Sequence, residues 1–397
     1  MKDNQAKYPQ LRFKCFTDPW EQRKVSELAD RYDNLRVPIT ASERVAGETP
    51  YYGANGIQDY VEGFTHNGEF VLVAEDGAND LQNYPVQYVD GKVWVNNHAH
   101  VLQAKEERVD NKFLTNALKH TNIEPYLVGG GRAKLNADVM MKINFKVPTL
   151  PEQVQIGKFF DNLDHLITLH QRKLTKLKEL KQGYLQKLFP KNGSKFPQLR
   201  FAGFADAWEQ RKLKDTLSLI KDGTHGTHKD GNFSMLLSTK NLINGKVVFN
   251  KSKDRKIGKK DYDSIFKGYS IHEKDVLLSV VGSIGRLALY YPQDIPIAFQ
   301  RSVAILRGNK SLEQEFLKYV LETHDAQRQL KMRTTMSAQP DLFLGDLSQV
   351  MIKVPIFKEQ IKIIKIFDSI SNLIASNQRK LEKLQELKKG YLQKMFC

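Results

Sequence analysis

The sequence predicts an α+β protein in which two α/β domains are joined by two long helices that pair as an antiparallel coiled coil, with an internal pseudo-twofold repeat. Three observations support this fold class. Two sets of segments recur along the chain, two long stretches have the apolar period of a coiled coil, and the remaining segments alternate short strand-like runs with turn residues.

The repeat consists of two pairs of similar segments. YPQLRF and WEQRK at residues 8–24 recur as FPQLRF and WEQRK at 196–212, an offset of 188 residues. Residues 147–189, ending KELKQGYLQKLF, recur as 354–396, ending QELKKGYLQKMF, an offset of 207. The second intervening segment is therefore 19 residues longer than the first. A duplication whose halves merely drifted would instead spread the divergence evenly.

These repeats divide the chain into a repeated frame and two divergent inserts. The predicted segments are an N-terminal repeated segment at 1–25, a first insert domain at 26–146, the first helix and a linker at 147–195, the second copy of the repeated segment at 196–213, a second insert domain at 214–353, and the second helix at 354–397.

The two helices share a 4-3 apolar spacing along about 37 residues, which corresponds to roughly 55 Å. The seam residues are Ile156, Phe160, Leu163, Ile167, His170, Leu174, Leu177, Lys181, Tyr184 and Leu188, then Ile363, Phe367, Ile370, Ile374, Asn377, Leu381, Leu384, Lys388, Tyr391 and Met395. His170 and Asn377 lie at the two midpoints, so they would face each other in an antiparallel pair and set its register. The alternative is that both are solvated flank positions.

Both inserts read as mixed strand and helix. In the first, three β-rich runs within residues 50–104 are separated by Gly and Asn turns and followed by a helix near 112–120. In the second, runs at 235–249, 275–291 and 297–308 read as strands, and residues 312–330 read as one helix.

The chain carries 61 Lys+Arg against 45 Asp+Glu, a net charge of +16 that points to a polyanionic partner. The surplus is uneven: residues 26–146 hold 12 basic and 17 acidic side chains, whereas 214–353 hold 22 and 15. The first insert therefore needs a local basic face if it binds nucleic acid.

We expect a cytoplasmic protein. Its two cysteines, Cys15 and Cys397, lie at opposite ends of the sequence and form no paired framework. The N-terminus lacks the apolar core of a signal peptide, and polar residues and glycines interrupt the most apolar stretch, at 276–291.

The sequence holds no recognisable catalytic equipment. It lacks a GxxxxGK[ST] phosphate loop, the Asn/Asp-Pro-Pro-aromatic tetrapeptide of amino-methyltransferases, and a nuclease-type acidic cluster near Pro340-Asp341. We therefore expect no catalytic residue and no cofactor bound by this chain, with catalysis supplied by partners.

Two local motifs could indicate phosphate or metal binding, but each also has a structural interpretation. Residues 129–132 (GGGR) lack the strand–loop–helix context of a phosphate cradle and read better as a loop that carries Arg132. The pairs His98/His100 and His225/His228 lack a further Cys, Asp or Glu at ligand spacing, so we expect no metal site.

Polar donors in the inserts are candidates for contacts to phosphates and base edges, although a solvated loop is the alternative for residues 221–228. The candidates are Tyr51, Tyr52, Asn55, His98, His100, Arg132 and Lys134 in the first insert, and Lys221, Thr224, His225, Thr227, His228, Lys240, Asn241, Arg286, Gln300, Arg301, Arg333, Ser337 and Gln339 in the second.

Beside the PQLRF…WEQRK segments and the two helices ending GYLQK[LM]F, the sequence contains the strings GANGIQDY…FVLVAEDGA, DGTHGTH, LLSVVGSIGR and TTMSAQPDL. With them the sequence resembles the specificity subunit of type I restriction-modification systems, and the resemblance extends over nearly its whole length. It implies that each insert is a target-recognition domain that reads half of a bipartite, asymmetric site in double-stranded DNA, with the helices as the spacer.

The resemblance also implies partners that perform the chemistry. Two modification subunits would dock on the helices, bind S-adenosylmethionine and methylate adenine, and two restriction subunits would use ATP and Mg²⁺ to translocate and cleave DNA. The specificity subunit itself is non-catalytic in such a complex. Two other hypotheses remain open: a specificity subunit for a combined methyltransferase–nuclease, and a coiled-coil adaptor with no role on DNA.

Overall fold

The computed structural model describes residues 8–129, 133–191, 193–335 and 340–396. The chain forms two compact units, each assembled from separated stretches of sequence. The first unit comprises Met1–Lys173 with Asn377–Cys397, and the second comprises Leu174–Ser376. Each unit therefore contains one insert and part of both long helices.

The secondary-structure elements of the described residues alternate as the sequence pattern indicates. The helices are α1 (Val25–Leu28), α2 (Asn111–His120), α3 (Ala137–Met140), α4 (Leu150–Lys187), α5 (Leu213–Thr216), α6 (Lys259–Ile265), α7 (Gln314–Glu322), α8 (His324–Met332), α9 (Leu344–Ser348) and α10 (Phe357–Met395). The strands of the first unit are β1 (Glu21–Lys24), β2 (Ala29–Arg31), β3 (Ala46–Gly53), β4 (Gly56–Val61), β5 (His66–Asn67), β6 (Phe70–Ala74), β7 (Val86–Val89), β8 (Lys92–Val95), β9 (Ala99–Ala104) and β10 (Asn144–Val147). Those of the second unit are β11 (Glu209–Lys212), β12 (Leu217–Asp222), β13 (Asp230–Leu237), β14 (Leu242–Ile243), β15 (Lys246–Val247), β16 (Lys256–Ile257), β17 (Val276–Ser279), β18 (Leu287–Leu289), β19 (Ile297–Phe299), β20 (Val303–Gly308) and β21 (Met351–Val354).

The first unit contains two four-stranded sheets. One is antiparallel in the order β2-β9-β6-β7, and the other has the order β4-β3-β8-β5, with β3 and β8 parallel. Strand β6 (FVLVA) is buried along its whole length, as a run of five apolar residues in a central strand should be. Helix α2 covers this sheet: Asp110 caps it by accepting the Phe113 amide, and the ring of Phe113 lies in the core.

The second unit repeats this topology. Its antiparallel sheet has the order β12-β20-β17-β18, and β13 runs parallel to β19 in the order β16-β13-β19. Residues 238–275 separate β13 from β17, whereas only residues 54–69 separate β3 from β6, so the extra length of the second insert lies here.

One expectation for the second insert is wrong. Residues 312–330 do not form a single helix, because the chain turns at Thr323 and forms α7 and α8 on either side of it. The Thr323 side chain accepts the amide of Ala326 and thereby caps α8.

A two-stranded antiparallel pair closes each insert, with one strand from the repeated segment before the insert and the other from the insert's last residues. Strand β1 pairs with β10 in the register Glu21↔Val147, and β11 pairs with β21 in the register Glu209↔Val354. These registers differ by the two repeat offsets, 188 and 207. The chain thus leads into each insert through one strand of the pair and ends it with the other strand.

The repeated arginines and glutamates tie the frame to the long helices. In the first unit Arg12 donates two hydrogen bonds of 2.7 Å to Glu152, and in the second Arg200 donates two of 2.9 Å to Glu359. Both carboxylates are buried at the start of a long helix. A bidentate pair of this kind fixes geometry as well as charge.

The prediction of two long antiparallel helices is confirmed. In the first unit the beginning of α4 and the end of α10 share one core, where Phe396 packs near Phe160 and Trp20. In the second unit Phe189, which follows α4, packs against Trp208 and shares the core with Phe367 of α10. None of the helices within the described ranges has the length and apolar character needed to cross a lipid bilayer.

Candidate nucleic-acid interface

Three of the predicted polar residues of the first unit converge on the chain that follows β6. Asn55, at the tip of the β3–β4 hairpin, donates its amide to the carbonyl oxygen of Gly77 at 2.9 Å and accepts the amide of Asn79 at 2.9 Å. The imidazole of His98 bonds the Asp76 carboxylate. Residues 53–56, 75–79, 96–98, 128–129 and 133–135 therefore form one group, the first loop cluster.

Lys134 joins the same cluster from a later part of the chain. Its backbone exchanges two hydrogen bonds of 2.9 Å with Val128 and forms an isolated bridge with Asp76. Its ammonium group lies 2.9 Å from a Glu75 carboxylate oxygen. Arg132, predicted on the same stretch, lies outside the described residues.

Two aromatic candidates of the first insert are less available than the pattern suggested. Tyr51 is only 1% exposed, donates its hydroxyl to Ile39, and lies beneath the Arg44 guanidinium at 4.3 Å from its ring centre. Tyr52 is half-buried and packs against a group of buried apolar residues that includes Phe70 and Val95. We therefore remove Tyr51 from the candidate set, because DNA cannot reach it in this structure.

His100 is also removed. Its ring is 1% exposed, and both nitrogens are occupied, Nδ1 by Asp33 at 2.7 Å and Nε2 by the Leu135 carbonyl at 2.8 Å. The residue lies within strand β9 between buried neighbours rather than in a loop.

In the second unit the DGTHGTH segment is anchored to the turn between β19 and β20. The Thr224 amide donates to Phe299 at 2.7 Å, and the Thr224 carbonyl accepts the Arg301 amide at 3.0 Å. The Thr224 hydroxyl bonds His228 Nε2 at 2.7 Å. Thr224, His228, Gln300 and Arg301 are thus brought together.

The other candidate residues in and beside this segment, Lys221, His225 and Thr227, are exposed. His225 bonds Asp222, Thr227 faces solvent, and Lys221 lies 5.6 Å from the ring centre of Tyr269.

A late loop of the second unit meets this region. Asp341 forms an isolated bridge with Val281 and lies 3.9 Å from the Arg301 guanidinium. Arg286 is exposed at the end of the turn that follows β17, and Arg333 is half-buried just after α8. Residues 222–228, 280–286, 299–302 and 340–342 form the second loop cluster; Ser337 and Gln339 lie outside the described residues.

The neighbouring pair Lys240 and Asn241 divides into an exposed and a buried residue. Lys240 is exposed and pairs with Asp254 at 2.8 Å. Asn241 is 2% exposed and donates its amide to Val248 and to Asp254. Asn241 therefore links the chain before β14 to the chain after β15. Because it is buried, it is removed from the candidate set.

The two loop clusters occupy corresponding places in the two units. The amide of Glu75 donates to His98 in the first, as that of Val280 donates to Ser302 in the second. Leu135 donates to Glu75 at 2.7 Å, and Leu342 donates to Val280 at 2.8 Å. The same backbone framework thus presents different side chains in each unit.

Sequence reasoning missed Arg36. Its guanidinium bonds Glu75 at 2.6 Å and the Ala99 carbonyl at 2.9 Å, so it reaches the first loop cluster from a distant segment. The sequence gives only weak evidence for this role, namely that Asp33 and Arg36 are three residues apart in a short turn.

Two carboxylates at or beside the first loop cluster, Asp33 and Glu75, form ion pairs with Arg36, and Glu75 also pairs with Lys134. Burial raises the pKa of Asp33, but the hydrogen bond and charge of His100 outweigh this and hold that pKa below its ordinary value. Burial likewise opposes ionisation of Glu75, but Arg36 and Lys134 lower its pKa. The negative charges of these two carboxylates are therefore compensated by cationic side chains within the insert.

Asp33, Glu75 and His100 are also close enough to hold a metal, since one ligand atom from each lies within 4.8 Å of the others. However, Arg36 and Lys134 already bond the Glu75 carboxylate. A divalent cation would have to displace these two cations, so the donor set fits an internal ion-pair network better than a metal centre.

The midpoints of the two long helices meet in the first unit. His170 Nδ1 donates to the Asn377 side-chain oxygen at 2.7 Å, and the Asn377 amide donates to the His170 carbonyl at 2.8 Å.

Comparisons with known proteins agree on one family. A family model described as type I restriction modification DNA specificity domain matches residues 17–179 and again 205–386. The chain is 32% identical over 372 residues to a putative type I restriction enzyme specificity subunit of Haemophilus influenzae, covering 90% of this chain and 89% of the relative. It is 22% identical to a type I restriction enzyme specificity subunit of Methanocaldococcus jannaschii, covering 94% and 91%.

A solved structure has the same fold. The crystal structure of a type I restriction-modification system S subunit from M. genitalium superimposes with a TM-score of 0.69 at 16% identity, covering 98% of this chain and 99% of that one.

Proposed function

The chain belongs to the family of type I restriction-modification specificity subunits, and from this premise we propose that its two units each read one half of a bipartite, asymmetric DNA sequence. As a specificity subunit it is a non-catalytic component of a type I system. Its part is to place partner subunits on a chosen sequence.

The observation that carries the proposal is the pair of corresponding loop clusters. The first offers Asn55, His98 and Lys134 on the backbone framework that in the second carries Arg301 and neighbouring donors. In the major groove Asn side chains make bidentate contacts to adenine, and Arg or Lys side chains make them to guanine. Different side chains at equivalent places are what two independent half-sites require.

The long helices set the distance between the half-sites in this proposal. They contain 38 and 39 residues, so each is about 57 Å long at ~1.5 Å per residue. That length corresponds to roughly 16 or 17 base pairs at ~3.4 Å each.

Exposed apolar residues support docking of two copies of one partner. In the first unit these are Tyr8, Leu11, Leu166 and Leu387, and in the second Phe196, Leu199, Leu373 and Leu180. All eight are 40–52% exposed, and the two sets correspond through the repeat offsets. We infer that each unit docks one modification subunit, which binds S-adenosylmethionine and methylates adenine, and that restriction subunits add ATP- and Mg²⁺-dependent cleavage.

The test compares methylated adenines in cells that carry the modification subunit with and without this chain, by single-molecule sequencing. We expect methylation at one bipartite motif that depends on the chain. Lys134→Ala should relax the first half of the motif, and Arg301→Ala the second. Methylation at a continuous motif, or methylation that does not depend on the chain, would contradict the proposal.

A further inference from the structure

A partly buried ion-pair network underlies the first loop cluster. It consists of Asp33, Arg36, Glu75, His100 and Lys134, which come from a turn, the chain after β6, strand β9 and the loop at 133–135. Asp33 also accepts the backbone amide of Val101 at 2.7 Å.

His100 connects the rigid sheet to the loop at 133–135. Its two hydrogen-bond partners, the Asp33 carboxylate and the Leu135 carbonyl, are both acceptors. Both ring nitrogens are therefore engaged within the protein, and the ring is held between the two partners. Leu135 directly follows Lys134, so the ring fixes the loop that carries that lysine.

Glu75 connects the remaining parts of the cluster. Its side chain bonds Arg36 at 2.6 Å and Lys134 at 2.9 Å. Its amide donates to the carbonyl oxygen of His98 at 2.8 Å, and its own carbonyl accepts Leu135 at 2.7 Å. The positions of the His98 and Lys134 side chains thus both depend on Glu75.

The fold itself does not require this network. In the antiparallel sheets Val73 pairs with His100, and Leu278 pairs with Ala304 at the corresponding place. Likewise Val280 of the second unit takes the backbone position of Glu75. The second unit thus builds the same framework with apolar residues, which avoids the desolvation cost of buried charges.

We propose that Asp33, Glu75 and His100 are positioning residues for base recognition by the first unit. They hold the side chains of His98 and Lys134 in positions from which these can contact DNA. Asp33, Glu75 and His100 contact no base themselves. The inference rests on the proposed function, since it assigns a role within the reading of the first half-site.

The experiment uses the full chain assembled with its modification subunits. Methylation rates are measured on the cognate duplex and on duplexes with one base pair changed in the first or the second half-site, and the melting temperature of each variant complex is recorded. His100→Gln keeps one donor for Leu135 and loses the bond to Asp33. Glu75→Gln keeps every backbone contact and removes the charge that holds Arg36 and Lys134.

A matched control is Asn111→Ala. Asn111 is buried in the same unit and accepts the amide of Ala104, at the other end of strand β9. This substitution removes a buried hydrogen bond without touching the loop cluster.

We expect both His100→Gln and Glu75→Gln to lower discrimination at the first half-site by about tenfold, which is the range of one bidentate base contact. Discrimination at the second half-site should stay within twofold of the unmodified chain, and Asn111→Ala should preserve both. Discrimination retained by Glu75→Gln, or lost equally at both half-sites, would overturn the inference. If the unmodified chain itself shows no half-site discrimination, the proposed function fails instead.

Discussion

His170 and Asn377 are joined by two reciprocal hydrogen bonds, side chain to side chain at 2.7 Å and Asn377 amide to His170 carbonyl at 2.8 Å. They are the midpoints of two antiparallel helices that lie far apart in the sequence. A polar pair in an apolar seam is a means of setting helix register, because any shifted pairing leaves polar atoms without partners.

Asn377→Ala should therefore destabilise the chain by about 1–3 kcal/mol, the usual cost of leaving buried polar groups unpaired. Urea unfolding followed by circular dichroism measures this. The control is Gln378→Ala, which removes a partly exposed residue whose side chain bonds Glu382 on its own helix and should change stability by less than about 0.5 kcal/mol. Equal effects of the two substitutions would show that the pair does not set the register.

The buried frame glutamates should depend on their arginines. Arg12→Ala leaves Glu152 buried without a partner, so we expect a loss of about 3–5 kcal/mol in the free energy of unfolding. Arg200→Ala should behave alike through Glu359. The control is Arg23→Ala, whose exposed ion pairs with Glu21 and Glu27 should contribute at most about 1 kcal/mol. An Arg12 variant no less stable than the Arg23 variant would contradict this account.

Stability should fall with acid partly through the ion-pair network of Asp33 and Glu75. The pKa values of Asp33 and Glu75 are lowered in the folded chain, so both carboxylates contribute stability that is present above their unfolded values, near ~4, and is lost as the pH falls through the folded values. Asp33→Asn should therefore flatten the decline in the free energy of unfolding between about pH 5 and pH 3. An unchanged slope in urea titrations across this range would be the contrary result.

The exposed leucines on the long helices should matter for assembly rather than folding. Leu166→Glu and its counterpart Leu373→Glu should each weaken binding of the modification subunit by at least about tenfold, with little change in melting temperature, since both side chains are exposed. Val45→Glu, an exposed apolar position in the first insert, serves as the control and should leave assembly unchanged. Titration calorimetry with the purified modification subunit measures the affinity of each variant. Affinities equal to that of the unmodified chain would show that these leucines are not part of the docking surface.

The repeated frame could be predicted from sequence because it depends on local periodicity and on self-similarity. The apolar spacing located both long helices, and the midpoint argument identified His170 and Asn377. The ends of the helices followed within a few residues. Such features need no knowledge of which strands pair.

The buried candidates could not be separated from the exposed ones in this way. His100 and Asn241 are polar residues near turns, and only long-range partners such as Asp33 and Asp254 reveal that they are buried. A hint did exist for His100, since it stands between apolar neighbours in a strand of six residues. The break between α7 and α8 could also have been predicted, because Thr323 is a typical N-cap residue and is followed by Asp325 in the first turn of α8.

The most direct test of two independent readers is to exchange residues 25–143, which lie between strands β1 and β10, for the corresponding stretch of a relative and to map the methylated motif by single-molecule sequencing. Both strands stay in place, so the exchange preserves the antiparallel pairing that holds the insert. We predict a new first half-site with the second half-site and the spacer unchanged. A motif altered in both halves, or altered in neither, would contradict the account.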